Sequence, residues 1–257
     1  SRPLASDFTP GPSGSTFAAP SSPVLDAGLA VANLNSGTRF AAPENAEVWE
    51  IGVKGQFDGF GFNLALFDQT LKGFQSNTFT GTGFSLANAG EQQTVGFEFD
   101  TTISPVDPLV FTFAITYLDA EFVSFPGSSV GDLTGQKVAG TPEWSFATSA
   151  TYSHEFGSSG NMLISRIDYN HDSNVAINNG LPTFGPTSQF LHRREVNLVN
   201  ASMTFVMENG LEVGIWGRNL TNDEFLTTVF DGVAQAGTVS GYLNQPRTYG
   251  GTVRFKF

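Results

Sequence analysis

The chain has 257 residues, of which 24 are acidic and 12 are basic, so its formal net charge is −12. This acidic balance argues against a nucleic-acid partner, which needs a cationic face. The chain contains no Cys, which excludes disulfides and thiolate metal sites, and its 29 Gly and 13 Pro residues are typical of a protein with many turns. No apolar run approaches the roughly 18 residues of a membrane-spanning helix.

Residues 1–46 differ in composition from the rest of the chain. They are rich in Pro, Ser, Gly and Ala and show only weak periodicity. Segments of this kind are usually irregular in structure. We therefore predict a long loop over 1–46, extracellular in a membrane protein, and a β-structured domain over 47–257.

From residue 47 onward, apolar side chains recur at every second position. This period places them on one face of a β-strand and leaves polar or small residues on the other face. The pattern predicts nine strands, centred on 49–53, 60–66, 95–99, 109–117, 144–152, 163–169, 199–205, 211–215 and 253–257.

The connections between these strands alternate in length. Short ones are predicted at 58–59, 104–108, 157–160 and 209–210, and long ones at about 76–91, 124–141, 174–193 and 222–246. Asn209-Gly210 indicates a two-residue hairpin with positive φ at both central residues. In an antiparallel sheet, strict alternation puts all short turns at one end and all long loops at the other.

Two environments suit such a sheet, namely a soluble β-sandwich and an outer-membrane β-barrel. Soluble strands usually have about 5–6 residues, and several of these runs are longer. About eleven residues at ~3.3 Å each, tilted by ~45°, climb about 26 Å, which matches the apolar band of about 25 Å around a membrane barrel. The apolar stripes contain no charged residue, and Trp and Tyr fall near their ends. The pattern favours an antiparallel transmembrane β-barrel.

The polar stripes carry ionisable side chains of both signs, as a hydrated barrel lumen would. We predict that these residues face the lumen, where they either contact an enclosed domain or are simply solvated. Glu98 and Asp100 lie on a regular strand without a catalytic partner, and no phosphate loop, catalytic triad or metal motif is present, so we expect no enzyme, cofactor or metal site. The lumen candidates are Glu50, Lys54, Glu98, Asp100, Arg166, Asp168, Arg254 and Lys256.

A second group of polar residues flanks the predicted long loop 174–193. Arg offers planar, fixed donors that suit anions, so one interpretation is an anion-binding rim. The alternative is an ordinary solvated loop. The residues are His171, Asp172, His192, Arg193 and Arg194.

The loop at 73–90 is rich in Phe and Gly, with Phe74, Phe79 and Phe84. Its rings are suited either to stacking on an aromatic ligand or to packing against neighbouring loops. The sequence leaves both interpretations open.

Several stretches resemble the end of a TonB-dependent outer-membrane receptor. They are Gly140-Thr-Pro-Glu-Trp144, 217–225 (GRNLTNDEF), 244–250 (NQPRTYG) and the closing 253–257 (VRFKF), and the upstream stretches 50–54 and 88–98 are also similar to that family. The resemblance covers about residues 44–257. One departure is that the Gly expected a few residues before the end falls at Gly250 and Gly251, next to its usual place.

The resemblance implies a 22-stranded barrel in the outer membrane of a Gram-negative bacterium, with this chain supplying about the last nine strands. It also implies a plug domain inside the barrel, the remaining barrel strands, the TonB–ExbB–ExbD energy system, and contact with outer-membrane lipid and lipopolysaccharide. The closing motifs look most like the iron-transport branch, which imports ferric siderophores. The alternatives are a passive porin-like or structural outer-membrane barrel and a soluble β-sandwich binding module.

Overall fold

The computed structural model describes residues 43–79, 84–88, 90–232, 235 and 237–256, with the backbone alone at 77–79 and 84–87. The described chain is almost entirely β, with a short 3-10 helix at Pro186–Phe190, and none of its helices is long and apolar enough to cross a bilayer. The strands are β1 Asn45–Phe57, β2 Phe60–Lys72, β3 Gln75–Phe79, β4 Phe84–Asn88, β5 Glu91–Val106, β6 Leu109–Ser124, β7 Trp144–Glu155, β8 Met162–Ala176, β9 Arg193–Val206, β10 Leu211–Arg218, β11 Leu226–Asp231, β12 Val239–Leu243 and β13 Thr248–Phe255.

Nine of the strands form one antiparallel sheet in the order β1-β2-β5-β6-β7-β8-β9-β10-β13. These are the nine strands that the alternating pattern predicts. The sheet begins at Asn45, two residues before the predicted boundary, and most of the predicted loop over 1–46 lies outside the described residues. The pairs β3–β4 and β11–β12 form separate two-stranded hairpins within long connections, and the sequence did not predict them.

The alternation of short and long connections is confirmed. Short turns join β1 to β2, β5 to β6, β7 to β8 and β9 to β10, whereas the long connections leave from the opposite end of the sheet. Strand β1 therefore starts at the long-loop end, and β13 finishes at the short-turn end, where Leu211 pairs with Phe255.

The prediction for the turn at Asn209-Gly210 was wrong in detail. The connection spans four residues, with Gly210 N donating to Met207 O at 3.0 Å, and only Gly210 has positive φ, at 85°. Asn209 instead uses its side chain, whose Oδ1 accepts a hydrogen bond from Leu211 N at 3.0 Å. An Asn side chain that stabilises its own turn in this way removes the need for a left-handed Asn backbone.

One face of the sheet, here called the aromatic face, carries the apolar stripes. Near the long-loop end it presents a cluster in which Tyr117 lies 4.7 Å from Trp144 and 5.9 Å from Phe97, measured between ring centroids. Near the short-turn end, His154 contacts Phe156 edge-on at 4.7 Å. About ten residues of β7 at ~3.3 Å each and a tilt of ~40° separate Trp144 from His154 by about 25 Å, the height of a membrane barrel's apolar band.

The aromatic face is open to its surroundings. Ile51 is 71% exposed and Ile215 is 64% exposed. A β-sandwich would bury such residues against a second sheet. In the part of the chain that the structure describes, the remaining strands form only the two hairpins, and neither covers this face.

The opposite face, here called the polar face, collects the predicted lumen residues. Cross-strand register aligns Lys54 with Asn63 and Asn63 with Asp100, and it aligns Glu98 with Ala65. Because side chains alternate along each strand, the other candidates fall on the same face. The structure thus confirms that these charged residues share a face, while their contact with a lumen or plug stays a prediction.

Candidate functional site

The long-loop end holds a cluster of buried hydrophobic residues. Phe74, which follows β2, stacks on Phe122 of β6 with ring centroids 5.6 Å apart and meets Phe125 edge-on at 5.2 Å. Val130 and Leu133, from the connection between β6 and β7, complete this buried cluster. The cluster holds two long connections against each other at the end of the sheet.

Beside this cluster lies a cavity of about 440 Å³, here called the loop cavity. Its wall is drawn from all four long connections, so its shape depends on how they pack. Residues of the wall include Phe74, Gln92, Phe122, Phe125, Ser128, Ser129, Val130, Leu133, Val138, Asn178, Asn179, Leu181 and Val229.

The connection between β6 and β7 is folded back against β6. Phe122 N donates to Gln136 O at 2.9 Å, and Val138 N donates to Ala120 O at 3.0 Å. Its tip is closed by Asp132, whose Oδ1 accepts from Thr134 N at 2.9 Å. Hydrogen bonds from Thr134 lower the pKa of Asp132, so this carboxylate stays ionised and keeps the turn closed at neutral pH.

Lys137 fixes the outer side of the same connection. Its Nζ contacts Asp119 and lies 3.8 Å from Glu121 Oε2, both on β6. The hydrogen bond to Asp119 raises the pKa of Lys137, partial burial opposes this, and the charges of Asp119, Glu121 and Glu143 add to it. All three side chains of this ion-pair group are about half exposed, so the group contributes little to stability, about 0–1 kcal/mol for such a pair.

Two consecutive Asn residues bind the long connections to one another. Asn179 Oδ1 accepts from Ala139 N at 3.1 Å, and Asn179 Nδ2 donates to Lys137 O at 2.8 Å. Asn178 Nδ2 donates to Val229 O of β11 at 3.0 Å. The connection between β8 and β9 is therefore hydrogen-bonded both to the connection between β6 and β7 and to strand β11.

A second link between the β8–β9 connection and β11 is made by Asp231, the last residue of β11. Asp231 is 2% exposed, and its Oδ2 accepts from Thr183 N at 3.1 Å. Ser188, in the 3-10 helix, accepts from Leu181 N at 2.7 Å and donates to Gly185 O at 2.6 Å. The Ser188 bonds close residues 181–188 on themselves, and the Thr183–Asp231 bond joins this segment to β11.

The structure separates the first two residues of the predicted anion rim. His171 lies on the aromatic face, 5.7 Å from the Phe146 ring, with its Nδ1 2.9 Å from Asn197 Oδ1. Asp172 points to the polar face and accepts from Ser145 Oγ at 2.8 Å. Adjacent strand residues face opposite ways, so these two side chains do not act on one ligand.

The other three rim candidates have separate environments. Arg193 donates from Nη2 to Asn174 O at 3.1 Å and also bonds the Asn174 side chain. His192 Nδ1 and Arg194 Nε are buried and have no hydrogen-bond partner among the described residues. None of the five rim candidates belongs to the described wall of the loop cavity.

The charged residues of the polar face form local pairs. Arg166 Nη2 lies 2.5 Å from Asp168 Oδ1, and Asp100 Oδ2 accepts from Asn63 Nδ2 at 2.8 Å. At the short-turn end, Arg254 Nη1 and Lys256 Nζ lie 3.3 Å and 2.5 Å from the Glu212 carboxylate. These pairs leave a face with polar groups of both signs, suited to contact with water or with another polar surface.

Sequence reasoning missed most of the loop cavity. The available signal was the Phe-rich loop, and Phe74 does pack against a neighbouring connection while also contributing to the cavity wall. The side chains of Phe79 and Phe84 lie outside the described residues. Asn178 and Asn179 carried no recognisable motif, because their partners lie about 40 to 50 residues away in the chain.

The family model of the TonB-dependent receptor-like β-barrel matches residues 5–220. Among solved structures, the ferric yersiniabactin uptake receptor FyuA from Yersinia pestis aligns with a TM-score of 0.66 and 16% identity, covering 83% of this chain and 30% of that one. The ferripyoverdine receptor of the outer membrane of Pseudomonas aeruginosa aligns with a TM-score of 0.60 and 15% identity, covering 88% and 29%. The ferric preacinetobactin receptor BauA from Acinetobacter baumannii aligns with a TM-score of 0.58 and 20% identity, covering 84% and 30%. No curated protein sequence matches the chain.

The chain spans about 30% of the length of these solved receptors, and their low identity supports the fold alone. The family match carries the assignment further, because it covers most of the chain. It confirms the expected TonB-dependent receptor β-barrel fold, and the family is a receptor family and not an enzyme class. The chain therefore belongs to the TonB-dependent receptors and forms a portion of their β-barrel.

Proposed function

We propose that the chain is part of the barrel of a receptor that imports a ferric siderophore, or a similarly scarce nutrient, across the outer membrane with energy supplied through TonB–ExbB–ExbD. Family membership supports transport, FyuA is a ferric yersiniabactin uptake receptor, BauA is a ferric preacinetobactin receptor, and the similar PiuA from Acinetobacter baumannii is a siderophore receptor. The observation that carries the proposal is the loop cavity, because four long connections pack together at one end of the sheet to build it.

In this proposal the two faces of the sheet have different partners. The aromatic face contacts outer-membrane lipid and lipopolysaccharide, since its side chains are apolar and exposed. The polar face lines the lumen and contacts the plug domain through its charged pairs, among them Arg166 and Asp168. The remaining barrel strands and the plug are supplied by other parts of the receptor.

The long connections act in ligand capture. The hydrogen bonds of Asn178, Asn179 and Asp231 preorganise the loop cavity before a ligand binds, which reduces the entropy lost on binding. The captured ligand then reaches the plug, and TonB-driven rearrangement of the plug opens the way through the lumen.

The experiment is uptake of radioactive iron by cells grown under iron limitation. Three strains are compared, one with the gene, one without it, and one with the gene but lacking TonB. We expect uptake from a supplied ferric siderophore in the first strain alone. Uptake that persists without TonB would indicate a passive barrel instead, and equal uptake with and without the gene would contradict the iron assignment.

A further inference from the structure

The described wall of the loop cavity carries no formal charge. Within the described part of the chain, its wall contains no Asp, Glu, Lys, Arg or His. The nearby charged groups of the β6–β7 connection are engaged elsewhere, since Asp132 bonds Thr134 N and Lys137 contacts Asp119. An ion that entered the cavity would lose water without gaining a counter-charge, which is unfavourable.

Two amides of the cavity wall, those of Asn178 and Asn179, are already hydrogen-bonded within the protein. Asn178 Oδ1 accepts from Gly180 N at 3.2 Å while its Nδ2 is bound to Val229 O. Asn179 uses both ends of its amide on Ala139 and Lys137. These two side chains hold the wall together and have little capacity left for a charged ligand.

One buried polar side-chain atom of the described wall lacks a partner. Ser129 Oγ is buried and has no hydrogen-bond partner among the described residues. A hydroxyl both donates and accepts, so a single neutral carbonyl, amide or hydroxyl group would satisfy it. The wall also contains Phe, Val and Leu side chains, which an apolar group can contact.

We propose that the loop cavity binds an uncharged aromatic or aliphatic group of the ligand that carries one neutral hydrogen-bonding function, while any anionic or metal-binding part stays outside. The cavity volume of about 440 Å³ is large enough for such a group. This inference rests on the proposed function, because it assumes that the loop cavity is part of the receptor's ligand-binding site.

The test uses the full-length receptor in detergent and two probes that differ in charge. These are 4-(trifluoromethyl)benzamide and 4-(trifluoromethyl)benzoate, followed by fluorine NMR. We expect the amide to bind at least about tenfold more tightly than the carboxylate, because only the carboxylate must bury a charge. Equal affinities, tighter binding of the benzoate, or no binding of either probe would overturn the proposal.

Three variants locate the binding. Leu133→Trp fills the cavity and should abolish benzamide binding, whereas Leu191→Trp, at an exposed position outside the wall, should leave it unchanged. Ser129→Lys places a cation in the half-buried wall and should shift the preference towards benzoate. Benzamide binding that survives Leu133→Trp would place the probe elsewhere and overturn the proposal.

The probes contain no iron and the assay needs no TonB, so the two proposals fail separately. Equal iron uptake with and without the gene, together with benzamide selectivity, would remove only the proposed function. Iron uptake that requires the gene, together with equal binding of the two probes, would remove only this inference.

Discussion

Asn219 holds the backbone of Asp223 at both its amide and its carbonyl. Asp223 N donates to Asn219 Oδ1 at 2.8 Å, and Asn219 Nδ2 donates to Asp223 O at 2.9 Å and to Gln245 O at 3.1 Å. Asn219 is 4% exposed and has a left-handed backbone, with φ of 51°. One side chain therefore joins the beginning of the last long connection to its end, immediately before β13.

The hydrogen bonds of Asn219 give a first prediction. Asn219→Gly keeps the left-handed backbone accessible but removes the side-chain bonds, and we expect it to destabilise the folded receptor by about 2–3 kcal/mol. Asn222→Gly is the matched control, because Asn222 also has left-handed φ, at 55°, but lies exposed. The measurement is urea unfolding of each variant in lipid bilayers. Equal losses of stability at the two positions would show that the Asn219 side chain does not stabilise this connection beyond its backbone conformation.

A second prediction concerns the aromatic face. Phe113 lies between Phe99 and Phe146, each 6.5 Å away between ring centroids. Phe113→Arg should destabilise the barrel in bilayers by about 2–4 kcal/mol, since a cation facing the middle of the membrane loses its hydration. Ala114→Arg, one residue away, points to the polar face beside Asp100 and should cost much less. If the two variants unfold at the same urea concentration, the aromatic face does not meet lipid.

A third prediction distinguishes the hydrogen bonds of Asn178 from those of Asn179. Asn179→Ala should speed amide hydrogen exchange at Ala139, because that amide loses its acceptor. Asn178→Ala should act instead on the β11 strand around Val229. Mass spectrometry of exchanged peptides distinguishes the two regions, and each variant serves as the control for the other. Identical exchange patterns in the two variants would mean that the long connections loosen as a single unit.

A fourth prediction follows from the raised pKa of Lys137. A pKa above the ordinary value of 10.5 leaves less of the neutral, reactive amine at pH 9, so Lys137 should be acetylated slowly. Asp119→Asn should accelerate its acetylation, while Lys72, which pairs with Glu47 at 3.1 Å, should react as before. Quantitative mass spectrometry measures both sites. An unchanged rate at Lys137 would mean that Asp119 does not stabilise its charge.

The raised pKa of Lys137 also determines how its contribution to stability changes with pH. A group whose pKa is raised on folding stabilises the folded state fully below its unfolded pKa, here 10.5, and loses this contribution as pH rises through the folded pKa. The contribution of Lys137 should therefore be constant across the neutral range and be lost as the pH rises above 10.5 and through the raised pKa.

Sequence determined the sheet of this protein to a large degree. Alternation of apolar and polar residues predicts where β2, β6 or β7 lies, because successive side chains of a strand point to opposite faces. The same rule already separates His171 from Asp172, so the division of the proposed rim was accessible from sequence. Connection lengths then gave the end of the sheet to which each turn belongs.

Only the tertiary structure decided how the long connections pack. Asn178 meets Val229, and Thr183 meets Asp231, across about 50 residues of chain, and no periodic pattern marks such pairs. The loop cavity lies where these and similar contacts bring the long connections together. Strands repeat a local rule along their length, whereas loop packing depends on single hydrogen bonds between distant residues, and for that physical reason the sequence alone did not reveal the site.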